Sequence, residues 1–373
     1  MFEPSRELLL KLNMTVKARL ILEDKSGFEG YAFGATRPMA GEVVFATGMV
    51  GYEQSLTDPS YAGQILVFTY PLIGNWGVPK KEYWESEKIQ VQGVIICDLA
   101  TKPNHHLMQK TLDSWLKEED VPGIFGIDTR KLTQKLRDRG VMLGKIVVDN
   151  RDIDFWDPNS QNLVSKVSVD KVTVYKPADS SLTTHNLSLN IALLNCGAKE
   201  SIKKNLMMRG ATVYELPWNF DPFKNNLPID GLVISNGPGD PKMAKESIEI
   251  IKKALNKKIP TFGICLGNQL LALAAGGDTY KLKFGHRAQN QPTIEVGTKK
   301  CFDTTQNHGF TVDEKKLPDG FRRWFYNAND NTNEGLIHQT LPFFSVQFHP
   351  EATPGPLDAT WLFDYFLETV RKK

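Results

Sequence analysis

From Asn190 to Gly277 the chain alternates strand-sized apolar runs with helix-sized amphipathic ones, and this rhythm limits its fold more than any other feature. NIALLNC, ATVYEL, IDGLVIS and IPTFGIC are short and rich in Val, Ile, Leu and Phe, so they read as strands. ESIKKNLMMRG, MAKESIEIIKKALN and LGNQLLALAAGG carry apolar residues three and four apart and read as helices, the first ending at Gly210. Alternation of this kind predicts a mainly parallel sheet flanked by helices, with function at the carboxyl ends of the strands.

The first part of the chain has a different rhythm. From Leu20 to about Val148, ARLILED, GEVVFAT, QILVFTY and VQGVIICDL are separated by Gly, Pro and Asp turns, which predicts a β-rich domain. Two helices are expected to cover it, one over Leu107 to Leu116 and one over Thr129 to Arg137 with Asp128 as cap. Between the two regions, from Asp149 to about Leu187, Asp, Asn, Ser and Pro dominate, as in an interdomain connection. The expected fold class is therefore α/β, a β-rich N-terminal domain plus a C-terminal mainly parallel sheet. With 45 Lys+Arg against 43 Asp+Glu, the net charge of +2 gives no footprint for nucleic acid or an acidic membrane. No apolar run has the length of a membrane span, and the first residues, with Glu3 and Glu7 before any apolar run, lead us to expect no secretory signal. Four cysteines without a C-x-x-C pair suggest reduced thiols, no metal site and the cytoplasm.

Three stretches could carry chemistry. Gly263-Ile264-Cys265-Leu266-Gly267 links an apolar strand to a helix with the spacing of a nucleophile elbow, in which flanking glycines give a strained turn the room it needs. A helix N-terminus also favours a thiolate, so Cys265 is a candidate nucleophile. A second strand, Phe344 to Phe348, runs into His349-Pro350-Glu351, where His349 could act as base and Glu351 could orient it. The loop Ser235 to Pro241 follows the strand GLVIS and could turn backbone N–H groups toward an oxyanion, with the N–H of Leu266 as a further donor. Each piece alone is commonplace in proteins with no catalytic role; together, at three strand ends of one parallel sheet, they form a pattern.

That pattern resembles the glutaminase of class I glutamine amidotransferases. The first domain narrows the resemblance: LILED, GEVVFATGMVGY, LTDPSYAGQILVFTYPLIGNWGVP, GIDTRKLTQKLRDRG and LGKI are similar to segments of the small, glutaminase subunit of glutamine-dependent carbamoyl phosphate synthetase, or the equivalent domain of fused pyrimidine-pathway enzymes. The resemblance implies an N-terminal extension over 1–16, a small-subunit domain over 17–150, a connection over 151–187 and an amidotransferase domain over 188–373. It implies that Cys265 attacks the side-chain amide of L-glutamine, His349 serves as base and then acid, and Glu351 orients His349. Glutamine contacts would fall on Ser60, Gly237, Gly239, Leu266, Gln269, Asn307, Gly309 and Phe310. The ammonia would pass to a large synthetase subunit using ATP, bicarbonate and magnesium, for arginine or pyrimidine synthesis. No cofactor is expected on this chain, which has no Gly-rich Walker loop.

The sequence departs from that family at Asn268, where most members carry His, and in GAKESIKKNL after Cys196. His105 and His106 read as solvated turn residues, Cys97 and Cys196 as core thiols, Cys301 has no pattern around it, and His308 is ambiguous. Two other readings stay open here: a related amide-cleaving enzyme with another acceptor or none, and a catalytically silent subunit that only binds the synthetase.

Overall fold

Period-two burial along β1 (Lys17–Leu22), with Ala18, Leu20 and Leu22 inside and Lys17 and Arg19 outside, sets the pattern of the first unit. β1 is followed by β2 (Gly27–Gly34), β3 (Met39–Ala46), β4 (Gln64–Phe68), β5 (Leu72–Ile73), β6 (Gly93–Ile95), β7 (Asp98–Leu99), β8 (Pro122–Phe125) and β9 (Met142–Val148). Seven of these close a barrel in the order β1-β2-β8-β6-β4-β3-β9, sealed where Ala18 of β1 faces Val148 of β9; β5 and β7 pair separately. Leu20, Leu22, Val43, Ile65, Ile95, Ile124 and Ile146 share one core. Ile146 on β9 reaches Gly93 on β6, which is not its neighbour in the barrel, and a Cβ on Gly93 would lie 2.5 Å from Ile146 Cδ1. Closure leaves no barrel edge to pair with another chain.

The computed structural model describes residues 16–177 and 189–373, and its contacts divide the chain between Gln161 and Asn162. Of the expected extension only Val16 is described, and residues 178–187 of the expected connection lie outside the described residues. The described part of that connection carries a short helix, Val164–Val167, and a strand that joins the second unit. In the first unit the helix over Thr129–Arg139 is capped as expected, the Asp128 side chain accepting from the Lys131 N–H. The other helix starts at Leu112 rather than Leu107, because Thr111 caps it by accepting from the Ser114 N–H while Lys110 bridges to Val78 in extended form.

Among the described residues the second unit has ten strands: β10 (Thr173–Tyr175), β11 (Asn190–Asn195), β12 (Thr212–Pro217), β13 (Gly231–Ile234), β14 (Thr261–Ile264), β15 (Thr279–Glu295), β16 (Cys301–Val312), β17 (Phe321–Asn327), β18 (Asn333–His338) and β19 (Phe343–Val346). Their order is β10-β12-β11-β13-β14-β19-β18-β17-β15-β16. The five strands from β12 to β19 run parallel, and those outside them are antiparallel. Successive residues of the parallel strands enter opposite cores: Ile191 and Leu193 join Phe262, Phe363 and Phe366, while Ala192 and Leu194 join Ile250, Leu270 and Leu271. Burial on both faces explains why these strands read as continuous apolar runs.

Periodicity does not announce the antiparallel half, because many of its buried positions are polar. Thr293, Thr304, Gln306, Asn327 and Glu334 are all buried and bonded among themselves, as in Asn327 Nδ2 to Glu334 Oε1 at 3.2 Å. His286 on β15 ties this half together, with Nε2 at 2.9 Å from Asp330 and Nδ1 at 3.5 Å from Glu334. Burial pushes its pKa down, but hydrogen bonds to Asp330 and Glu334 and their charges raise it from 6.5 to about 9.

Two consequences are measurable. Phe262→Ala, which empties a ring from the core under the C-terminal helix Trp361–Arg371, is expected to cost about 3–5 kcal/mol in denaturant unfolding. Because His286 binds its proton more tightly folded than unfolded, its stabilisation is full below pH 6.5 and fades as pH rises through about 9. Unfolding at pH 6 and pH 9.5 should show this loss in the native chain and a smaller one in Asp330→Asn.

Candidate functional site

Cys265 sits between the last residue of β14 and the first residue of the helix Leu266–Ala274, with φ 55° and ψ −103°. A non-glycine residue held in this region carries strain of about 1–3 kcal/mol. Its surroundings hold it there: the Cys265 N–H donates to Val346 O at 2.8 Å and its carbonyl accepts from the Asn268 N–H at 3.0 Å. The two glycines are close-approach positions. A Cβ on Gly263 would lie 2.4 Å from Gly267 O, and one on Gly267 would lie 2.3 Å from Ile234 O. Strand and helix can therefore meet at this angle only without side chains at both places. The Leu266 N–H, at the first helical position, has no intrahelical acceptor and is available to a ligand.

β19 lies parallel to β14, with Ile264 beside Val346, so Cys265 and His349 leave the same end of adjacent strands. The His349 N–H donates to Thr305 O at 2.8 Å, which holds the segment after β19 against β16. His349 Nδ1 lies 2.5 Å from Glu351 Oε1. Nδ1 is thereby committed, leaving Nε2, which has no hydrogen-bond partner among the described residues. Burial disfavours the charged ring, but the charge of Glu351 and then that of the Cys265 sulfur override it and raise the His349 pKa to about 10. Glu351 is pushed the other way: burial would raise it, yet Lys199 and then His349 bring it to about 2.

Lys199 is the residue that sequence reasoning missed. It precedes the helix Glu200–Met208, is 2% exposed, and places Nζ 3.0 Å from Glu351 Oε1 and 2.5 Å from the carbonyl of Ala352. Nothing in GAKESI signals burial, and the available hint was only its place after a strand of the parallel sheet. Lys199, Glu351, His349 and Cys265 form a buried line in which cation, anion and imidazolium alternate, so an imidazolium can hold a thiolate opposite it.

The loop after β13 is built onto the same end of the sheet. Ser235 Oγ accepts from the Cys196 N–H at 2.9 Å, and Asn236 Oδ1 accepts from the Lys199 N–H at 3.0 Å. Gly237 lies so close to the strand β11 end and the nucleophile helix that a Cβ would meet Cys196 O at 2.1 Å and Leu266 Cδ2 at 2.8 Å. Gly239, at φ 82°, packs by Leu163. On β16, Asn307 O lies 3.7 Å from Cys265 Sγ, and Phe310 O accepts from Gln269 Nε2 at 2.8 Å. Gly309 and Phe310 are half-buried. Gly237, Leu266, Gln269, Asn307 and Phe310 are thus linked to the nucleophile helix or the sulfur itself. Ser60 belongs to the first unit, buried on the turn Pro59–Tyr61, where its N–H donates to Asp58 Oδ1 at 2.9 Å.

His308 is buried and bonds through Nδ1 to Phe310 O at 2.8 Å, so it braces its own strand; burial, then the neighbouring charge of His286, hold its pKa well below the usual imidazole range. With His286 and Glu334 it places ligand-type atoms within 4.8 Å of one another.

Comparison with known proteins gives this geometry a family. Residues 192–369 match the family described as glutamine amidotransferase class-I, and residues 20–146 match the carbamoyl-phosphate synthase small chain, CPSase domain. The chain is 47% identical over 367 residues to the multifunctional protein CAD of Squalus acanthias, covering 95% of this chain and 16% of that protein. It is 45% identical over 388 residues to the multifunctional protein pyr-3 of Neurospora crassa, covering 95% and 21%. It is 44% identical over 366 residues to human mitochondrial carbamoyl-phosphate synthase [ammonia], covering 95% and 24%. The chain spans about a fifth of the length of these relatives.

Lys199→Met would remove one of the two cations beside the buried Glu351 carboxylate. Stripping one partner from a buried ion pair costs about 3–5 kcal/mol, so this variant should unfold at lower denaturant than the native chain by that amount. Unchanged stability would show that Lys199 does not neutralise Glu351.

Proposed function

We propose that this chain, which belongs to the carbamoyl-phosphate synthase small chain family and carries a class-I glutamine amidotransferase domain, hydrolyses L-glutamine and supplies the ammonia for carbamoyl phosphate synthesis. The observation that carries the reading is the buried line Lys199, Glu351, His349, Cys265 at the ends of adjacent parallel strands.

In this reading the Cys265 sulfur attacks the side-chain amide carbon of glutamine, and a C–S bond forms. The oxyanion is received by N–H groups of Leu266 and the loop around Gly237 and Gly239. As the C–N bond breaks, His349 gives its proton to the leaving nitrogen, and ammonia departs. Water then attacks the thioester, His349 takes its proton, and glutamate leaves with Cys265 restored. Glu351 keeps Nδ1 of His349 protonated so that Nε2 does the exchange, and Lys199 keeps Glu351 ionised. Gln269, Asn307, Gly309 and Phe310 hold the amino acid's polar head.

The ammonia passes to a large synthetase subunit or domain, which uses ATP, bicarbonate and magnesium; none of these is assigned to this chain. The product serves arginine or pyrimidine synthesis. The four cysteines are free, which suits a reducing compartment, and we assign the chain to the cytoplasm. Among the described residues no helix is long and apolar enough to cross a membrane.

The test is glutamate release from glutamine, with and without a synthetase partner supplied with ATP and bicarbonate. Cys265→Ala should lower it by about a thousandfold or more while ammonia-driven synthesis by the complex survives. Glutamate release that persists in Cys265→Ala would overturn the assignment.

A further inference from the structure

We propose that Gln347 is a positioning residue for the nucleophile, a fully buried amide that fixes an N–H donor on the Cys265 sulfur, and that Asn268 and Gln269 lock it in that orientation. The inference rests on the glutaminase reading above and deepens it.

Gln347 lies one residue past β19, is 0% exposed, and places Nε2 3.8 Å from Cys265 Sγ. An amide side chain could in principle turn either end to the sulfur, and the end it shows decides the effect: N–H favours a thiolate, whereas C=O opposes one. The surroundings settle the choice. Phe310 O is a backbone carbonyl and can only accept, so Gln269, at 2.8 Å, must present its NH2 group there. That same Nε2 lies 3.1 Å from Gln347, which must therefore answer with Oε1. A second donor enforces the same orientation: Asn268 Nδ2 lies 3.1 Å from Gln347 Oε1, and Ser345 Oγ donates to Asn268 Oδ1 at 2.8 Å. With Oε1 taken by two donors, Nε2 is the end left for the sulfur.

Ser345, Asn268, Gln269 and Gln347 are each 0–2% exposed, so water does not compete for these bonds. Reorienting the Gln347 amide would oppose two N–H groups to an N–H and leave buried donors unpaired, an expensive arrangement in a site of low dielectric. The thiol's own contact fits the same pattern. Sγ can donate to Asn307 O at 3.7 Å as a thiol, and once the proton has left for His349 the donor from Gln347 remains. Gln347 thus acts on the charged sulfur without touching substrate, which separates its role from that of His349.

The test is alkylation of Cys265 by iodoacetamide in the full chain, without glutamine, with site occupancy read by mass spectrometry because three other cysteines are present. Gln347→Met keeps the side-chain length and removes the donor; alkylation at pH 7 should fall about fivefold, the factor one hydrogen bond supplies, and the pH profile of Cys265 alkylation should move to higher pH. Asn268→Asp keeps Gln347 but replaces a donor to its Oε1 with an acceptor, and should give a smaller loss with the same pH dependence. That second variant decides the matter if Gln347→Met does not fold. Alkylation within twofold of the native rate at pH 7, or a loss with no movement of the pH profile, would show a packing role and overturn the proposal. A native chain that alkylates at Cys265 yet releases no glutamate would count against the glutaminase reading alone.

Discussion

The parallel pairing of β14 with β19 is the constraint on which the site depends. Ile264 beside Val346 puts Cys265 and His349 at the same end of adjacent strands, although a long antiparallel excursion separates them in the chain. The same register lets the Cys265 N–H donate to Val346 O, and this bond helps hold the strained turn that presents the sulfur. The pairing itself is secured from both faces, by Phe262 and Phe344 against the C-terminal helix on one side and by Leu270 and Leu271 on the other. Packing far from the sulfur thus fixes its geometry.

Around that frame the site solves an electrostatic problem. Burying Glu351 and His349 beside a sulfur would be prohibitive for any of them alone, since desolvation penalises every charge. The solution is alternation: Lys199 lowers Glu351, Glu351 raises His349, and His349 faces the thiol. The amide cluster of Gln269, Gln347 and Asn268 adds directed dipoles without further charge. A second group, buried His286 with exposed Asp330 and buried Glu334, follows the same rule in the antiparallel half.

Much of this was legible in the chain. The strand and helix of the elbow, the cap at Asp128 and the triad candidates follow from local chemistry, and local chemistry is what periodicity and spacing report. The helix expected from Leu107 starts later because Lys110 is held in extended form against Val78 and Thr111 caps the next residues, neither of which apolar spacing registers. The antiparallel half stayed hidden because much of its interior is Thr, Gln, Asn and His, which pair with one another only once the strands are assembled. Lys199 stayed hidden for a related reason: lysine reads as solvated, and only a carboxylate far away in the chain makes its burial possible.

By itself, the sequence determined the parallel core, the β-rich first unit, Cys265 on its turn and the His-x-Glu pair, because each is written in residues within a few positions of one another. Tertiary structure alone decided which polar groups face the sulfur and which charge steadies which. Those choices depend on desolvation and on partners drawn from β11, β16 and β19, and a buried charge has no defined partner until the sheet has closed around it.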